Sequence, residues 1–155
     1  MLKTNDKTQD SLTDITAIIL TYNEEKHIER CIFSIKHFVK RIVIIDSFSN
    51  DNTLNILKKY NVEILQNKFI NQSKQFNWGL ENSNIKTDWI LRIDADEILT
   101  KALVKKVFEN LKNYSSNISG ITVNRKLIFF GKNINFGGFF PHNTLRLWKN
   151  GKGKC

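Results

Sequence analysis

The stretch DWILRIDADEIL, at residues 88–99, decides the fold class of this sequence. Its first part, WILRI at residues 89–93, is rich in β-favouring apolar residues, as expected for a strand that is covered on both faces. Asp94 and Asp96 follow directly. We therefore predict a buried β-strand that delivers acidic groups to a cleft.

Two interpretations of this acidic segment remain open. Asp94 and Asp96 are two residues apart, which in an extended chain points both side chains to one side. Two carboxylates at this spacing raise each other's pKa unless a cation lies between them. Mg²⁺ or Mn²⁺ would suit such a site, because both metals prefer oxygen ligands. Alternatively, Asp96 and Glu97 favour the start of the next helix, whose predicted N-cap is Thr100.

Strands and helices are predicted to alternate along the rest of the chain. The further strands are predicted at residues 15–20, 41–46, 62–65 and 121–130. The helices are predicted after Asn23 and at residues 53–60, 72–82 and 101–112, with Gly79 allowing close packing of the third helix. This alternation implies βαβ units and an α/β fold with a mainly parallel sheet flanked by helices.

The first helix is predicted from its apolar spacing. Asn23 is a suitable N-cap, and Ile28, Ile32, Ile35 and Val39 recur at helical spacing. We therefore expect these four apolar residues to form one buried stripe.

Composition indicates one ordinary globular domain. The chain has 155 residues, of which 41% are hydrophobic and 25% charged. We predict a flexible arm at residues 1–14 and a single domain at residues 15–155. No apolar run is long enough to span a bilayer, and the arm lacks the core of a signal peptide, so we predict a cytoplasmic location. Cys31, on the apolar side of the first helix, and the terminal Cys155 do not suggest a disulfide.

The net charge of +9 is concentrated in the second half, because no Asp or Glu follows Glu109. Such a surface attracts the phosphates of a nucleotide, an anionic membrane or a nucleic acid. A general bias of the chain towards Lys, Asn and Ile explains the charge about equally well. No zinc-ligand spacing or helix-turn-helix pattern supports nucleic acid, which we exclude as a partner.

Polar residues follow several of the predicted strands. They are residues 21–24 after the first strand, Asp46 and Ser47 after the second, and Asp94 and Asp96 after the later one. Ligands of such sheets bind beyond the carboxyl ends of the strands, so we expect these groups to converge on one cleft. No GxGxxG or GxxxxGK[ST] loop is present, which argues against a dinucleotide-binding fold and a P-loop NTPase.

Five ordered segments resemble the family 2 glycosyltransferases of the GT-A fold, most closely the branch that contains lipopolysaccharide-core and capsule enzymes. The segments are AIILTYNEEKHIERCIFSI from Ala17, IVIIDSFSNDNT from Ile42, QSKQFNWGLEN from Gln72, DWILRIDADE from Asp88 and FFGKNINFGGFFPHNTLRLW from Phe129. This resemblance implies metal-dependent, inverting transfer of a sugar from a nucleotide-sugar donor, UDP-hexose being expected, to a lipopolysaccharide, capsule or other surface-glycan acceptor.

The resemblance also implies roles for residues near the nucleoside. Thr21, Tyr22 and Glu24 would lie against it, and Asp46 would accept a hydrogen bond from the base, usually uracil. Tyr22 could instead pack at a strand end. Asp46 could instead form a turn with the serines that follow it.

Further roles are implied near the diphosphate and the sugar. Gln72 and Lys74 match positions there, although Lys74 is equally well explained as a solvated helix residue. Asp94 would contact the ribose or the sugar, and Asp96 would bind the divalent metal, Mg²⁺ or Mn²⁺, that bridges the two phosphates. Arg92 is interpreted as a structural neighbour.

The general base has no clear candidate in the sequence. Similar enzymes use a carboxylate downstream of the acidic segment, and this chain has none after Glu109. His142 and Glu97 are alternatives, but a loop histidine and a helix start explain them better. The resemblance implies that a C-terminal acceptor-side part is missing, so the rival hypothesis is a catalytically incomplete fragment that binds a nucleotide sugar. A nucleotidyltransferase is a distant third.

An aromatic segment follows residue 128. It could serve as an acceptor platform or as a peripheral contact with the inner face of the membrane, although aromatic residues of a small protein more often belong to the core. Its members are Phe129, Phe130, Phe136, Phe139 and Phe140.

Overall fold

The computed structural model describes residues 13–111, 113–114, 116–134 and 142–154, with the side chains of residues 108 and 109 excepted. Its strands are β1 Thr13–Thr21, β2 Val39–Asp46, β3 Glu63–Gln66, β4 Trp89–Asp94, β5 Gly120–Arg125, β6 Leu127–Phe129, β7 Lys132–Ile134 and β8 His142–Lys149. Its helices are α1 Ile28–Ile35, α2 Thr53–Leu57, α3 Gln72–Asn82 and α4 Lys101–Leu111.

The strands form a six-stranded sheet in the order β3-β2-β1-β4-β8-β5 and a separate two-stranded sheet of β6 and β7. Strands β1 to β4 are parallel to one another, whereas β8 runs antiparallel to both β4 and β5. The prediction of a mainly parallel sheet with flanking helices is therefore confirmed. Because the parallel strands all end at one edge, the groups that follow them share that edge.

Apolar side chains cover both faces of the central strands. Ile15, Ala17 and Ile19 of β1 belong to a large cluster with helix α1, whereas Ile18 belongs to a smaller cluster with Phe76 of α3. The stretch 89–93 has the predicted burial, with its four apolar residues no more than 7% exposed. These two layers fix β1 and β4 in the middle of the sheet.

Gly79 allows α3 to approach the sheet closely, as predicted. A Cβ atom at this position would lie 2.8 Å from Cγ1 of Ile45 and 3.0 Å from its Cδ1. Helix α3 has the predicted bounds, and the Asn71 side chain caps it by accepting a hydrogen bond from the Lys74 N–H at 2.9 Å.

The start of α1 differs from the prediction. The helix begins at Ile28, and Asn23 has a φ of 55°, which is incompatible with the extended backbone of an N-cap. Asn23 instead accepts a hydrogen bond from the Asn50 N–H at 2.9 Å. Ile28, Ile32 and Ile35 are buried as predicted, but Val39 begins β2 and does not belong to the helix.

The bounds of several other strands and helices also differ from the prediction. Strand β1 includes Thr13 and Asp14 of the predicted arm, whose residues 1–12 lie outside the described part of the chain. Helix α2 ends at Leu57, and the predicted strand 121–130 is interrupted at Lys126 to give β5 and β6. In the described residues, no helix is long and apolar enough to cross a membrane.

The aromatic segment is not core where the structure describes it. Phe129 and Phe130 are 61% and 89% exposed. Phe136, Phe139 and Phe140 lie outside the described residues.

Candidate functional site

A cleft of about 480 Å³ lies at the carboxyl edge of the parallel strands. It brings together many of the candidate residues, namely Thr21, Tyr22, Glu24, Gln72, Asp94 and Asp96. It is also lined by Ser47, Phe69, Arg92, Arg125, Thr144 and Arg146. Asp46 and Lys74 do not line it. A wider hollow of about 680 Å³ lies at the other end of β4, between residues 85–89 and 149–152, and contains none of the candidates.

The acidic segment is a turn, not an extended strand. The Glu97 N–H donates to the carbonyl of Asp94 at 2.9 Å, and the Asp94 N–H donates to Oε2 of Glu97 at 3.1 Å. The prediction that Asp94 and Asp96 share one side of an extended chain is therefore wrong. Both residues nevertheless line the cleft, because the turn begins where β4 reaches it.

A guanidinium group lies between two carboxylates of this turn. Nη2 of Arg146 is 3.1 Å from Oδ2 of Asp94 and 2.5 Å from Oε1 of Glu97. The Arg146 side chain is only 6% exposed, so solvent screens these ion pairs weakly. Arg146 thus supplies the cation between the carboxylates of Asp94 and Glu97.

Glu97 takes part in more ion pairs than the amino-acid sequence indicated. Its Oε1 atom also accepts from Nε of Arg125 at 2.9 Å, so two arginines share it. It does not belong to a helix, because α4 begins at Lys101. Thr100 does cap α4 as predicted, since its Oγ1 accepts from the Leu103 N–H at 3.2 Å. The signal that could have identified Glu97 is the pair of downstream arginines in a segment without acidic residues.

Arg92 lies beside the same turn. Its Nε atom is 3.9 Å from Oδ1 of Asp94, and its guanidinium carbon is 5.2 Å from the ring centre of Phe76. It also lines the cleft. The side chain thus packs against the core and adds positive charge near Asp94.

The cleft offers few ligands of its own for a divalent metal. Within the described ranges, no group of three or more His, Cys, Asp or Glu residues could hold an ion. However, Mg²⁺ commonly binds through one or two carboxylates together with substrate phosphates. Asp96 suits that arrangement, because its side chain is exposed and only its backbone carbonyl has a described partner, Arg30 at 3.1 Å.

Asp46 is fully buried beneath the edge of the cleft. It accepts hydrogen bonds from Oγ1 of Thr21 at 3.1 Å, from N and Oγ of Ser49 at 3.0 and 2.5 Å, and from Nε2 of Gln66 at 3.0 Å. These contacts match the turn interpretation. Asp46 therefore fixes Thr21 and the turn, and direct contact with a base would require exchange of one of these bonds.

The loop after β1 is tied to the loop after β2. The Asn23 N–H donates to Oγ of Ser49 at 2.9 Å, and the Glu24 N–H donates to Oγ1 of Thr53 at 2.8 Å. The carboxylate of Glu24 is 2.8 Å from Nδ1 of His27. Tyr22, which directly precedes these anchors, is 57% exposed at the cleft. The loops thus form a fixed wall that presents an aromatic ring.

The remaining candidates lie farther from the acidic turn. Gln72 begins α3 and lines the cleft, whereas Lys74 in the same helical turn is exposed outside it. His142 begins strand β8, opposite Arg125, and is exposed. It is a strand residue and not, as interpreted, a loop residue.

Cys31 lies directly under the acidic turn. Its thiol is 3.6 Å from the carbonyl oxygen of Asp94. Burial, followed by the charges of Glu97, Asp96 and Asp94, raises the pKa of this thiol to about 12. Cys31 is therefore a packing residue and a poor nucleophile.

Comparison with known proteins places these features in a family. Residues 16–151 match the model of glycosyl transferase family 2. The chain is 31% identical over 150 residues to the lipopolysaccharide core biosynthesis glycosyltransferase LpsC of Rhizobium meliloti, a match that covers 90% of this chain and 52% of LpsC. Across the curated relatives it matches, the chain spans between 31% and 52% of their lengths.

Solved structures share the fold. S. aureus TarS 1-349 in complex with UDP-GlcNAc has a TM-score of 0.55 and 25% identity, covering 64% of this chain and 31% of that one. Glucosyl-3-phosphoglycerate synthase from Mycobacterium tuberculosis, in complex with Mn²⁺, UDP and glucosyl-3-phosphoglycerate, has a TM-score of 0.57 at 21% identity. It covers 73% of this chain and 44% of that one, and the likeness shows a common fold.

Proposed function

Because this chain belongs to glycosyl transferase family 2 and has the GT-A fold, we propose that it binds the nucleotide-sugar donor of a glycosyltransferase reaction. The proposed donor is a UDP-hexose, and the proposed acceptor is a lipopolysaccharide, capsule or other surface glycan. The observation that carries the proposal is the cleft in which Thr21, Tyr22, Gln72, Asp94 and Asp96 meet. The UDP-GlcNAc complex of TarS and the lipopolysaccharide assignment of LpsC support the choice of donor and acceptor.

The nucleoside is proposed to bind against the fixed wall of the cleft. Tyr22 offers an exposed ring for stacking, and the Thr21 and Glu24 positions border it. Asp46 acts through Thr21 in the described conformation, because its Oδ1 accepts a hydrogen bond from the Thr21 hydroxyl at 3.1 Å. It contacts the base directly only after the turn around Ser49 rearranges.

The diphosphate is proposed to bind between α3 and the acidic turn. Gln72 lies in the first turn of an 11-residue helix, where N–H groups and the helix dipole favour anions, and Lys74 is exposed in the same turn but outside the cleft. Arg146 and Arg92 supply positive charge on the opposite wall. Asp94, held by Arg146 at 3.1 Å, is positioned for the hydroxyls of the ribose or the sugar.

Charge development explains why these groups would accelerate transfer. Cleavage of the bond between the sugar and the diphosphate increases negative charge on the leaving group, so fixed cations stabilise the transition state more than the ground state. A divalent metal, Mg²⁺ or Mn²⁺, bound through Asp96 would supply further charge neutralisation at the phosphates. Arg92, Arg146 and the N-terminus of α3 are proposed to stabilise the same charge.

Inversion at the sugar is also proposed, and it requires a base near the acceptor hydroxyl. Glu97 is shared by two guanidinium groups, and His142 lies outside the cleft. We therefore assign the base to neither residue. The rival function, donor binding without completed transfer, is favoured by this engagement of Glu97.

The acceptor is proposed to be lipid-linked or a glycan, met at the cytoplasmic face of the membrane by a peripheral contact. The excess of basic residues after Glu109 supports this placement, because anionic leaflets attract such segments.

Acceptor-dependent transfer tests the whole proposal. The purified chain would be incubated with UDP-[¹⁴C]glucose or UDP-[¹⁴C]GlcNAc, Mn²⁺ and a lipopolysaccharide-core acceptor, and labelled acceptor would be counted. Labelled product that is lost in Asp96→Asn supports the enzyme. Binding of the donor without any labelled product supports the rival function, and absence of both contradicts the proposal.

A further inference from the structure

Strands β6 and β7 form a hairpin that is a sheet separate from the main one. The two strands pair only with each other, through Leu127–Ile134 and Phe129–Lys132, in the described part of the chain. Phe130 and Gly131 connect them, with φ values of 46° and 72°. Two successive residues with positive φ form a tight two-residue turn, and the twist of such a turn matches the twist of the two strands that it joins.

The hairpin presents an unusual amount of apolar surface to solvent. Leu127, Ile128, Phe129 and Phe130 are 45%, 60%, 61% and 89% exposed. Successive residues of a strand point to opposite faces, so the exposed groups occupy both faces of the hairpin. The rings of Phe129 and Phe130 contact edge to face, with centroids 4.5 Å apart, and form one aromatic tip. A two-stranded hairpin is marginally stable alone, so such a tip gains stability by entering an apolar phase.

The charged residues of the hairpin indicate which apolar phase the tip enters. Lys132 lies next to the tip and Lys126 lies at the base of the hairpin, and both are exposed. No acidic residue follows Glu109 in the sequence. Lysine can lay its aliphatic stem along an apolar surface while its ammonium group meets phosphate. A second copy of this chain, with a net charge of +9, would bring lysines against lysines. An apolar tip on a hairpin that carries exposed lysines fits the headgroups and acyl chains of an anionic bilayer.

We propose that residues 126–134 form a membrane-docking hairpin that inserts Ile128, Phe129 and Phe130 into an anionic lipid surface. The inference rests on the membrane contact of the proposed function and gives that contact a specific site. Arg125, which lines the cleft and pairs with Glu97, directly precedes the hairpin. Docking through the hairpin therefore holds the cleft close to the surface where a lipid-linked acceptor would lie.

Vesicle co-sedimentation of the purified chain tests this inference. Vesicles of phosphatidylglycerol and phosphatidylcholine would be compared with vesicles of phosphatidylcholine alone, at low salt and without donor or acceptor. The chain should bind the anionic vesicles, and Phe129→Ser with Phe130→Ser should weaken binding at least about tenfold. Lys126→Gln with Lys132→Gln should weaken it by about fivefold per lysine. Thermal melting would confirm that each variant is folded.

Phe33→Ser is the matched control. Phe33 is 51% exposed on α1, and the ammonium of Lys36 lies 4.0 Å from its ring centre, so the pair resembles the tip chemically but lies elsewhere. This variant should bind like the unaltered chain. Absence of binding to anionic vesicles, or equal binding by the tip variants, would overturn the inference. Because no sugar is present, failure here leaves the transfer experiment unaffected, and failed transfer leaves the vesicle result unaffected.

Discussion

Nη2 of Arg146, on β8, lies 2.5 Å from Oε1 of Glu97, in the turn that follows β4. The same nitrogen reaches Asp94 at 3.1 Å. Strand β8 runs antiparallel to β4, which brings the guanidinium over the end of β4. The acidic turn of the cleft therefore depends on a residue that is 49 positions away along the chain.

Arg146→Met should lower the free energy of unfolding by about 3 kcal/mol, because it removes the most deeply buried cation from two partly buried carboxylates, Asp94 and Glu97. Urea unfolding of the purified chain measures this. Lys40→Met is the control, since it removes an ion pair with Asp14 whose side chains are 62% and 41% exposed, and such a pair contributes less than about 1 kcal/mol. Equal losses in the two variants would contradict the role given to Arg146.

Glu97 should couple more strongly to Arg146 than to Arg125. Both arginines contact Oε1 of Glu97, but their side chains are 6% and 47% exposed, so water screens the Arg125 pair more. Double-mutant cycles with Glu97→Gln, Arg146→Met and Arg125→Met would give the two coupling energies. We expect about 2 kcal/mol for Arg146 and below about 1 kcal/mol for Arg125. A larger coupling energy for Arg125 than for Arg146 would show that burial of the side chains does not determine the strength of these ion pairs.

The Cys31 thiol should resist alkylation. Burial and the carboxylates above it raise its pKa to about 12, so the thiolate is scarce in the folded chain below that pH. With Cys155 replaced by Ser, iodoacetamide should modify the native chain far more slowly than the urea-unfolded chain at pH 8.5, followed by mass spectrometry.

The raised pKa of Cys31 also makes the stability of the folded chain depend on pH at high pH. The folded-state pKa is raised above the ordinary value of 9.0, so the unfolded state loses its thiol proton first. The stability that Cys31 contributes is full below pH 9 and falls as pH rises from about 9 towards 12. Native alkylation as fast as that of the unfolded chain would contradict the buried position of Cys31.

Gly79→Ala should destabilise the domain, although alanine is the better helix former by about 1 kcal/mol. The added Cβ would lie 2.8 Å from Cγ1 of Ile45, a core residue of β2 that is fully buried. Overpacking of this kind costs about 1 to 3 kcal/mol, so the net change should be unfavourable. Ser73→Ala, at an exposed position of the same helix, is the control and should leave stability unchanged or raise it. A stabilised Gly79→Ala variant would show that α3 and β2 are not in close contact.

Local patterns in the sequence were sufficient for much of the fold. The bounds of α3 and the burial of residues 89–93 follow from apolar spacing within each segment, and both agree with the structure. Asn23 was misassigned as an N-cap because its left-handed backbone depends on hydrogen bonds to the loop after β2. Residue type alone does not reveal such a long-range contact.

The acidic turn shows the same limit within the site. Asp94 and Asp96 both line the cleft, but the sequence did not indicate that Arg146 lies between Asp94 and Glu97. That pairing requires the antiparallel register of β8 beside β4, which no local periodicity encodes. Glu97 was interpreted as a helix-start residue, and its ion pairs were not predicted because Arg125 and Arg146 are far away in the sequence.

Thermal melting with UDP, GDP and CMP, each with and without Mn²⁺, tests the donor site most directly. A ligand at about 100 times its Kd stabilises the folded state by about 2.7 kcal/mol. We predict a rise of several degrees with UDP and Mn²⁺, lost in Asp96→Asn and retained in Asp88→Asn, whose exposed carboxylate lies just before the opposite end of β4. No rise with any nucleotide, or an equal rise in Asp96→Asn, would contradict a metal-assisted donor site in this cleft.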